Sequence, residues 1–357
     1  MRNFSTVPSI SPSAKEQSAK SGKSEAKTVK APRQGKPINV SMAEANEPLF
    51  ELVGERSPPA PVSVASPEQA DLFVILETIH NWPIKEDVSS MEYPIFSLAK
   101  NPDTRVRTYS RGGKMVRVIP SALGAATVFD KDLLIYCLSQ IVKASDAGIP
   151  VSRRVKIDVH PFLVGTRRST GGAAYERVVD MCRRLKGTTI ETNIKTNQQE
   201  QLEGFGLIEE YKISQYTKNG KGALELEMTI SDWLYRAALT SDILTLHPDY
   251  FSLGQALERR LYELGRKHCG NQAWFTIGLP LLQEKTGSSQ EARYFKKEIK
   301  ALLKLDRLPD YKLALDENCK PNQLVYLSRD NRKLLTEAAK MRRVDWLSSL
   351  LQQHLMR

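Results

Sequence analysis

Two amphipathic helices in this chain carry the same apolar spacing, and each is followed by a run of β-formers. Tyr175, Val179, Cys182 and Leu185 stand at offsets 0, 4, 7 and 10, and Phe295, Ile299, Leu302 and Leu305 repeat those offsets. Such spacing lays one apolar stripe along a helix of about 3.6 residues per turn. Any amphipathic helix shows it, so the constraint comes from the neighbours. Ahead of the first helix, Val155, Ile157 and Val159 alternate with Lys156 and Asp158 as a half-buried strand does; His160-Pro161 ends that strand, and Gly171-Gly172 breaks the chain before the helix. Ahead of the second, WFTIG reads as a short strand and PLLQEKTG as a short helix that closes on glycine. Behind the first, TTIETNI, FGLIEEYKISQY and ALELEMTIS predict a small antiparallel sheet; behind the second, YKLALDENCKPNQLVYL predicts a hairpin around Asp316 to Asn322.

An opening helix completes each set. In Asp130 to Ala147, Leu133, Leu134, Cys137, Leu138, Ile141 and Val142 share one face, and in Ser252 to His268, Ala256, Leu257, Leu261 and Leu264 do the same. The order helix, strand, helix, helix, strands therefore occurs twice. The fold class expected is α+β, as tandem winged-helix domains in which three helices pack together and a β-hairpin flanks the third.

The ends of the chain read differently. From Met1 to Val40 eight Lys/Arg face two Glu among Ser, Ala and Pro, a composition that buries too little apolar surface to order itself. SPPAPVSVASP, 57–67, reads as a proline-rich linker. Residues 1–66 are thus expected as a disordered basic tail and linker, 67–245 as the N-terminal winged-helix domain, 246–328 as the C-terminal one and 329–357 as a C-terminal helix. Within the first domain, Ser66-Pro67 resembles a helix start, with Leu72, Phe73, Ile75, Leu76 and Ile79 behind it, and RVRTYS and MVRVI flank Arg111-Gly112-Gly113-Lys114 as a hairpin. In the last helix Leu334, Leu335, Ala338 and Met341 are expected on one face, for docking back or for a partner.

Composition narrows the function. A net charge of +11 and a pI of about 9.4 favour a polyanionic partner. No apolar run approaches the roughly 20 residues of a membrane span, and MRNFSTVPSISPSAKEQ lacks a secretory core, so a cytoplasmic protein is expected. Cys137, Cys182, Cys269 and Cys319 form no CxxC pair and His80, His160, His247, His268 and His354 are isolated, which fits neither a zinc site nor a disulfide framework. His268 and Cys269 are neighbours, but adjacent helical side chains diverge by about 100° and share a metal poorly. GTRRSTGG and GKG lack the Gly-Lys-Ser/Thr ending of a phosphate loop, and HExxH, GxSxG and a paired-histidine nuclease motif are absent. Tyr175 falls on an apolar stripe, where a core role outweighs a nucleophilic one. No catalytic residue, no metal and no cofactor is expected, and the chain reads as a binding protein rather than an enzyme.

Binding has better candidates. Arg293, Lys296, Lys297, Lys300 and Lys304 share one face of the second stripe-bearing helix, and cations of one sign repel each other unless a polyanion faces them. On the first, Arg177, Arg183, Arg184 and Lys186 accompany Glu176 and Asp180. The loop before it offers Arg167, Arg168, Ser169 and Thr170 beside a helix N-terminus, a place suited to backbone phosphate. Lys320 lies in the second hairpin's turn. Arginines on such helices can read guanine edges in the major groove while lysines and hydroxyls fix register on phosphates.

The stretches GGAAYERVVDMCRRLKGTTIETNI and GFGLIEEY, then HPDYFSLGQALERRLYELGRKHCGNQAWFTIGLPLLQEKTGS and LPDYKLAL, closely resemble the plasmid replication initiator protein A family over approximately residues 90 to 330. The resemblance implies a protein that binds repeated double-stranded sites in a plasmid origin, helps open adjacent AT-rich DNA and recruits host replication proteins such as the helicase and the host initiator. It implies tandem winged helices, no intrinsic catalysis, and a homodimer that becomes a monomer on origin repeats. A repressor bound to a palindromic operator is the alternative; a nicking enzyme that uses a tyrosine and a metal is more distant.

Overall fold

Alternation in Arg154–Asp158 puts Val155 and Ile157 inward, and this strand, β5, is the pivot of the first half of the molecule. The computed structural model describes residues 72–75, 83–193, 203–218, 221–240 and 242–355; the tail, the linker and the turn around Gly220 lie outside them. The elements before β5 are β1 (Phe73–Ile75), β2 (Ile84–Asp87), α1 (Val88–Glu92), β3 (Arg107–Arg111), β4 (Lys114–Ile119) and α2 (Lys131–Asp146). After it come α3 (Val159–Gly165), α4 (Gly172–Gly187), β6 (Thr189–Thr192), β7 (Glu203–Gly206), β8 (Ile208–Lys218), β9 (Lys221–Ile230), α5 (Asp232–Leu239) and β10 (Ile243–Leu246). A 3-10 turn, Pro248–Ser252, leads to α6 (Ala256–His268), β11 (Trp274–Gly278), α7 (Leu279–Thr286), α8 (Ala292–Leu305), β12 (Tyr311–Asp316), β13 (Gln323–Ser328), α9 (Asn331–Lys340) and α10 (Val344–Leu355).

The expected repeat is visible in sheet order. β5 pairs with β9 and β9 with the long antiparallel β8, while β11 pairs with β13 and β13 with β12. In both sheets the strand between the first two helices lies next to the last strand of the hairpin. Helices α2, α3 and α4 precede the first hairpin, and α6, α7 and α8 precede the second.

Three expectations need correction. Phe73–Ile75 is a strand, not helix: it pairs in parallel with Val155 to Ile157, and the rest of that expected helix lies outside the described residues. Backbone pairing to β5 overrides an apolar spacing that fits either state. The strands after α4 do not form one sheet either. FGLIEEYKISQY divides at Leu207, β6 and β7 extend the β3–β4 hairpin into a four-stranded sheet, and only β8 and β9 join β5. Finally, the C-terminal segment is two helices, broken where Arg342 takes φ 54. Leu334 and Ala338 are buried, but Leu335 and Met341 are more than half exposed. Helix α10 docks back, with Leu347 and Leu350 against Val325 and Leu327, and the Trp346 indole N–H donates to Asp316 Oδ2 at 3.0 Å.

One apolar core runs through both halves, from Ile75 to Tyr326. Leu261 and Tyr262 of α6 are wholly buried, and each side chain of this size removed from water contributes about 1.5–3 kcal/mol. Gly265 lets α6 approach the second hairpin closely, since a Cβ there would stand 2.9 Å from the Tyr326 ring.

Buried charges join the halves as well. Lys131 of α2 pairs with Glu86, and its Nζ lies 3.1 Å from Glu263 of α6. Burial pushes the Lys131 ammonium down to about 8, with Glu263 opposing. Burial would raise the Glu263 carboxyl, yet Lys131 and Arg260 hold it below its ordinary value. Beside them, Asp132 pairs with Arg259 of α6, whose guanidinium lies 4.6 Å from the Phe129 ring centre. A buried network of this kind is strongly destabilised when one partner is removed.

Candidate nucleic-acid interface

Helix α4 begins at the Gly171-Gly172 break and buries Ala174, Val178, Met181, Cys182 and Leu185. Tyr175 and Val179, placed in the stripe by sequence, are only half-buried, and the Tyr175 hydroxyl lies 3.4 Å from His160 Nδ1. The stripe is rotated because Met181 takes a core position. Arg177 and Arg183 are exposed on the opposite side; Arg183 reaches Asp180 at 3.0 Å, whereas Arg177 has no ion pair among the described residues.

The other candidates of this module are tied into the fold. Arg184 donates from Nε and Nη2 to both oxygens of Asp130 at 2.7 Å, and that hydrogen-bonded pairing raises its pKa. Asp130 is buried at the head of α2 and receives the Thr127 N–H as well. Arg168 donates to Asp132 at 2.6 Å and to the Phe129 carbonyl at 2.7 Å. Arg167, at φ 55, pairs with Asp249 at 2.8 Å and contacts Ser252. Lys186 donates to the Glu209 carbonyl. Ser169 and Thr170 are exposed at the entry to α4.

On α8 the five expected cations also divide. Phe295, Ile299, Leu302 and Leu303 are buried, and Leu305 is exposed, because the chain leaves the helix through Asp306 at φ 45. Lys296 and Lys300 lean toward the second hairpin, where Glu317 Oε1 accepts both at 2.8 Å and 3.0 Å. Lys297 and Lys304 are exposed with no ion pair among the described residues. Arg293 pairs with Glu291 at 2.9 Å and lies over the Tyr294 ring. Lys320 is exposed in the hairpin turn.

The two modules meet at one cleft of about 700 Å³. Arg177, Met181 and Arg184 of α4 form one wall, and Ser288, Ser289 and Gln290 at the entry to α8 form the other. The loop from Ser97 to Asp103, with Lys100, also lines it, as does Arg105 just beyond. Sequence reading gave that loop no role, since its order comes from distant contacts such as Arg105 Nη2 to Ser289 Oγ at 3.3 Å. The cleft thus places the third helix of each module on a shared border.

The model of the replication initiator protein A family matches residues 85–313, well over half of the chain. The chain belongs to that family. A putative replication protein of Wigglesworthia glossinidia brevipalpis is 37% identical to this initiator-family chain over 244 residues, covering 68% of it and 88% of the relative. Among solved structures, the crystal structure of a selenomethionine derivative of domains 2 and 3 of RctB matches with a TM-score of 0.53 at 14% identity. It covers 68% of the initiator-family chain and 98% of the other, a likeness of fold.

Three of the cysteines and His268 of this family member are engaged in packing. Burial raises the Cys182 and Cys269 thiols to about 12, and Cys137 is pushed up further by the same cause. His268 stacks on Phe275 and faces Glu92 at 3.4 Å, while the Cys269 sulfur faces the Gln272 carbonyl at 3.7 Å, so the two neighbours diverge. No helix of the described residues is long and apolar enough to cross a membrane.

Proposed function

We propose that this chain is a plasmid replication initiator that binds repeated duplex sites in its origin with two winged helices, α4 and α8 entering successive major grooves. The observation that carries this reading is the common cleft. Its two walls are the third helix of one module and the entry to the third helix of the other, and Arg177, Lys297 and Lys304, with no ion pair among the described residues, stand on those helices. The strand order shared by the two sheets supports a winged helix in each module, with β8–β9 and β12–β13 as the wings. Lysines on a polyanion explain why a helix carries cations that its own acids leave unmatched.

Beyond binding, the chain promotes opening of AT-rich DNA beside its sites and recruits the host helicase and initiator, acting without catalysis of its own. It works in the bacterial cytoplasm, and a homodimer is its storage state. The test is footprinting of the purified full chain on its cognate origin with permanganate added to report unpaired thymines. Protected direct repeats with reactive thymines beside them are the expected result. One protected palindrome without reactivity would make the protein a repressor, and strand cleavage would make it a nicking enzyme.

A further inference from the structure

From Thr104 to Phe129 the chain holds Arg105, Arg107, Arg111, Lys114 and Arg117 and no acidic residue. This segment builds the β3–β4 hairpin, and three of its cations are engaged locally. Arg105 pairs with Asp103 at 2.8 Å, Arg107 donates to the Pro94 and Ile95 carbonyls at 3.3 Å and 2.9 Å, and Arg117 pairs with Glu191 at 3.2 Å. The two at the tip differ. Arg111 and Lys114 are exposed, stand directly opposite each other in register, and have no ion pair among the described residues. Like charges directly opposite destabilise an antiparallel pair, so the tip carries a local cost that a polyanion would remove.

The turn between them suits such a ligand. Gly112 and Gly113 take φ 55 and φ 76, the left-handed conformations of a tight hairpin turn, and a Cβ on either would meet nothing within 4 Å. No side chain stands between that backbone and an approaching phosphate. The base of the hairpin is fixed beside the entry to α8. Arg105, before the first strand, reaches Ser289, and midway along that strand the Tyr109 hydroxyl would lie 3.2 Å from a Cβ at Gly287. From Arg107 to Arg111 the strand spans about 14 Å at about 3.4 Å per residue. That reach is close to half a turn of B-DNA, about 17 Å.

We propose that the β3–β4 hairpin is a third duplex-DNA contact, its tip residues Arg111 and Lys114 holding backbone phosphates along the minor groove next to the major groove that α8 enters. This rests on the DNA-binding reading above. It assigns binding to residues outside both helix–turn–helix segments. Phosphate contacts of this type position a protein without reading sequence.

The test uses the full chain, an origin duplex and a random-sequence duplex, each titrated over a range of salt. Arg111→Ala with Lys114→Ala should weaken binding to both duplexes and flatten the slope of log K against log salt by up to about 1.8, since each lost phosphate contact removes about 0.9. Hydroxyl-radical protection should disappear from one patch about half a helical turn from the α8 footprint. The charge-preserving exchange Arg111→Lys with Lys114→Arg should keep wild-type affinity; a loss there as great as in the alanine pair would make the tip a structural element and overturn the proposal. An unchanged slope and footprint in the alanine pair, with wild type binding normally, would overturn the hairpin contact and leave the DNA reading intact. A wild-type chain that binds neither duplex would overturn both.

Discussion

Asp132 Oδ2 lies 2.6 Å from Nη2 of Arg168, and the other oxygen of the same buried carboxylate receives Arg259 of α6. One side chain thereby links the loop before α4 to the opening helix of the second module. Its loss would leave the Arg259 guanidinium, 4% exposed, without its ion-pair partner. Asp132→Ala should cost about 3–5 kcal/mol in urea unfolding, the range for breaking a buried pair from one side. A cost under about 1 kcal/mol would mean that the linkage does not hold the modules together.

Arg183 and Arg184 are adjacent in sequence and opposite in role. Arg184→Ala strands the buried Asp130 carboxylate and should lower stability by about 1–3 kcal/mol. Arg183→Ala should stay within about 0.5 kcal/mol of wild type in stability. In binding, Arg183→Ala should relax preference at one base position by about 1–3 kcal/mol. A uniform loss over all bases would instead make Arg183 a backbone contact.

Along α8 the lysines separate in the same way. Lys297→Ala with Lys304→Ala should flatten the salt slope by up to about 1.8, whereas Glu317→Gln, which releases Lys296 and Lys300, should tighten binding to every duplex and steepen the slope. Titrations at several salt concentrations check both. An identical slope in all three proteins would remove α8 from the interface.

The acid limb of stability should depend on Glu92. Burial would raise its carboxyl, but His268 at 3.4 Å together with Lys267 and Lys285 holds it far below the ordinary carboxylate range. The unfolded chain therefore binds more protons in acid, and the stabilisation is complete above the ordinary carboxyl pKa and fades as pH falls below it. Glu92→Gln should cost about 1–3 kcal/mol at neutral pH, and the gap to wild type should narrow as pH falls from about 6 to about 3. Thermal melts over that range measure it; a constant gap would contradict the assignment.

The residues that sequence placed correctly are those whose structure is set locally. Phe295, Ile299 and Leu302 on α8, the alternation of Val155 and Ile157 in β5 and the Gly112-Gly113 turn all follow from backbone periodicity and glycine conformations. What escaped depends on partners far along the chain. The partners of Arg168 and Arg184, Asp132 and Asp130, are 36 and 54 positions away, so no local pattern announces the pairs. Likewise, β1 looked helical because its apolar residues suit either state until β5 supplies a neighbour. The break at Arg342 has no proline or glycine to mark it.

Hydroxyl-radical footprinting of the full chain on its origin duplex tests the central claim most directly. With α4 and α8 in successive major grooves, each bound repeat should show the protected patches of the two helices on one face of the DNA, about 34–36 Å apart, in addition to any hairpin patch between or beside them. A single patch per repeat, or protection that does not follow one face, would contradict the placement of both helices on the same DNA.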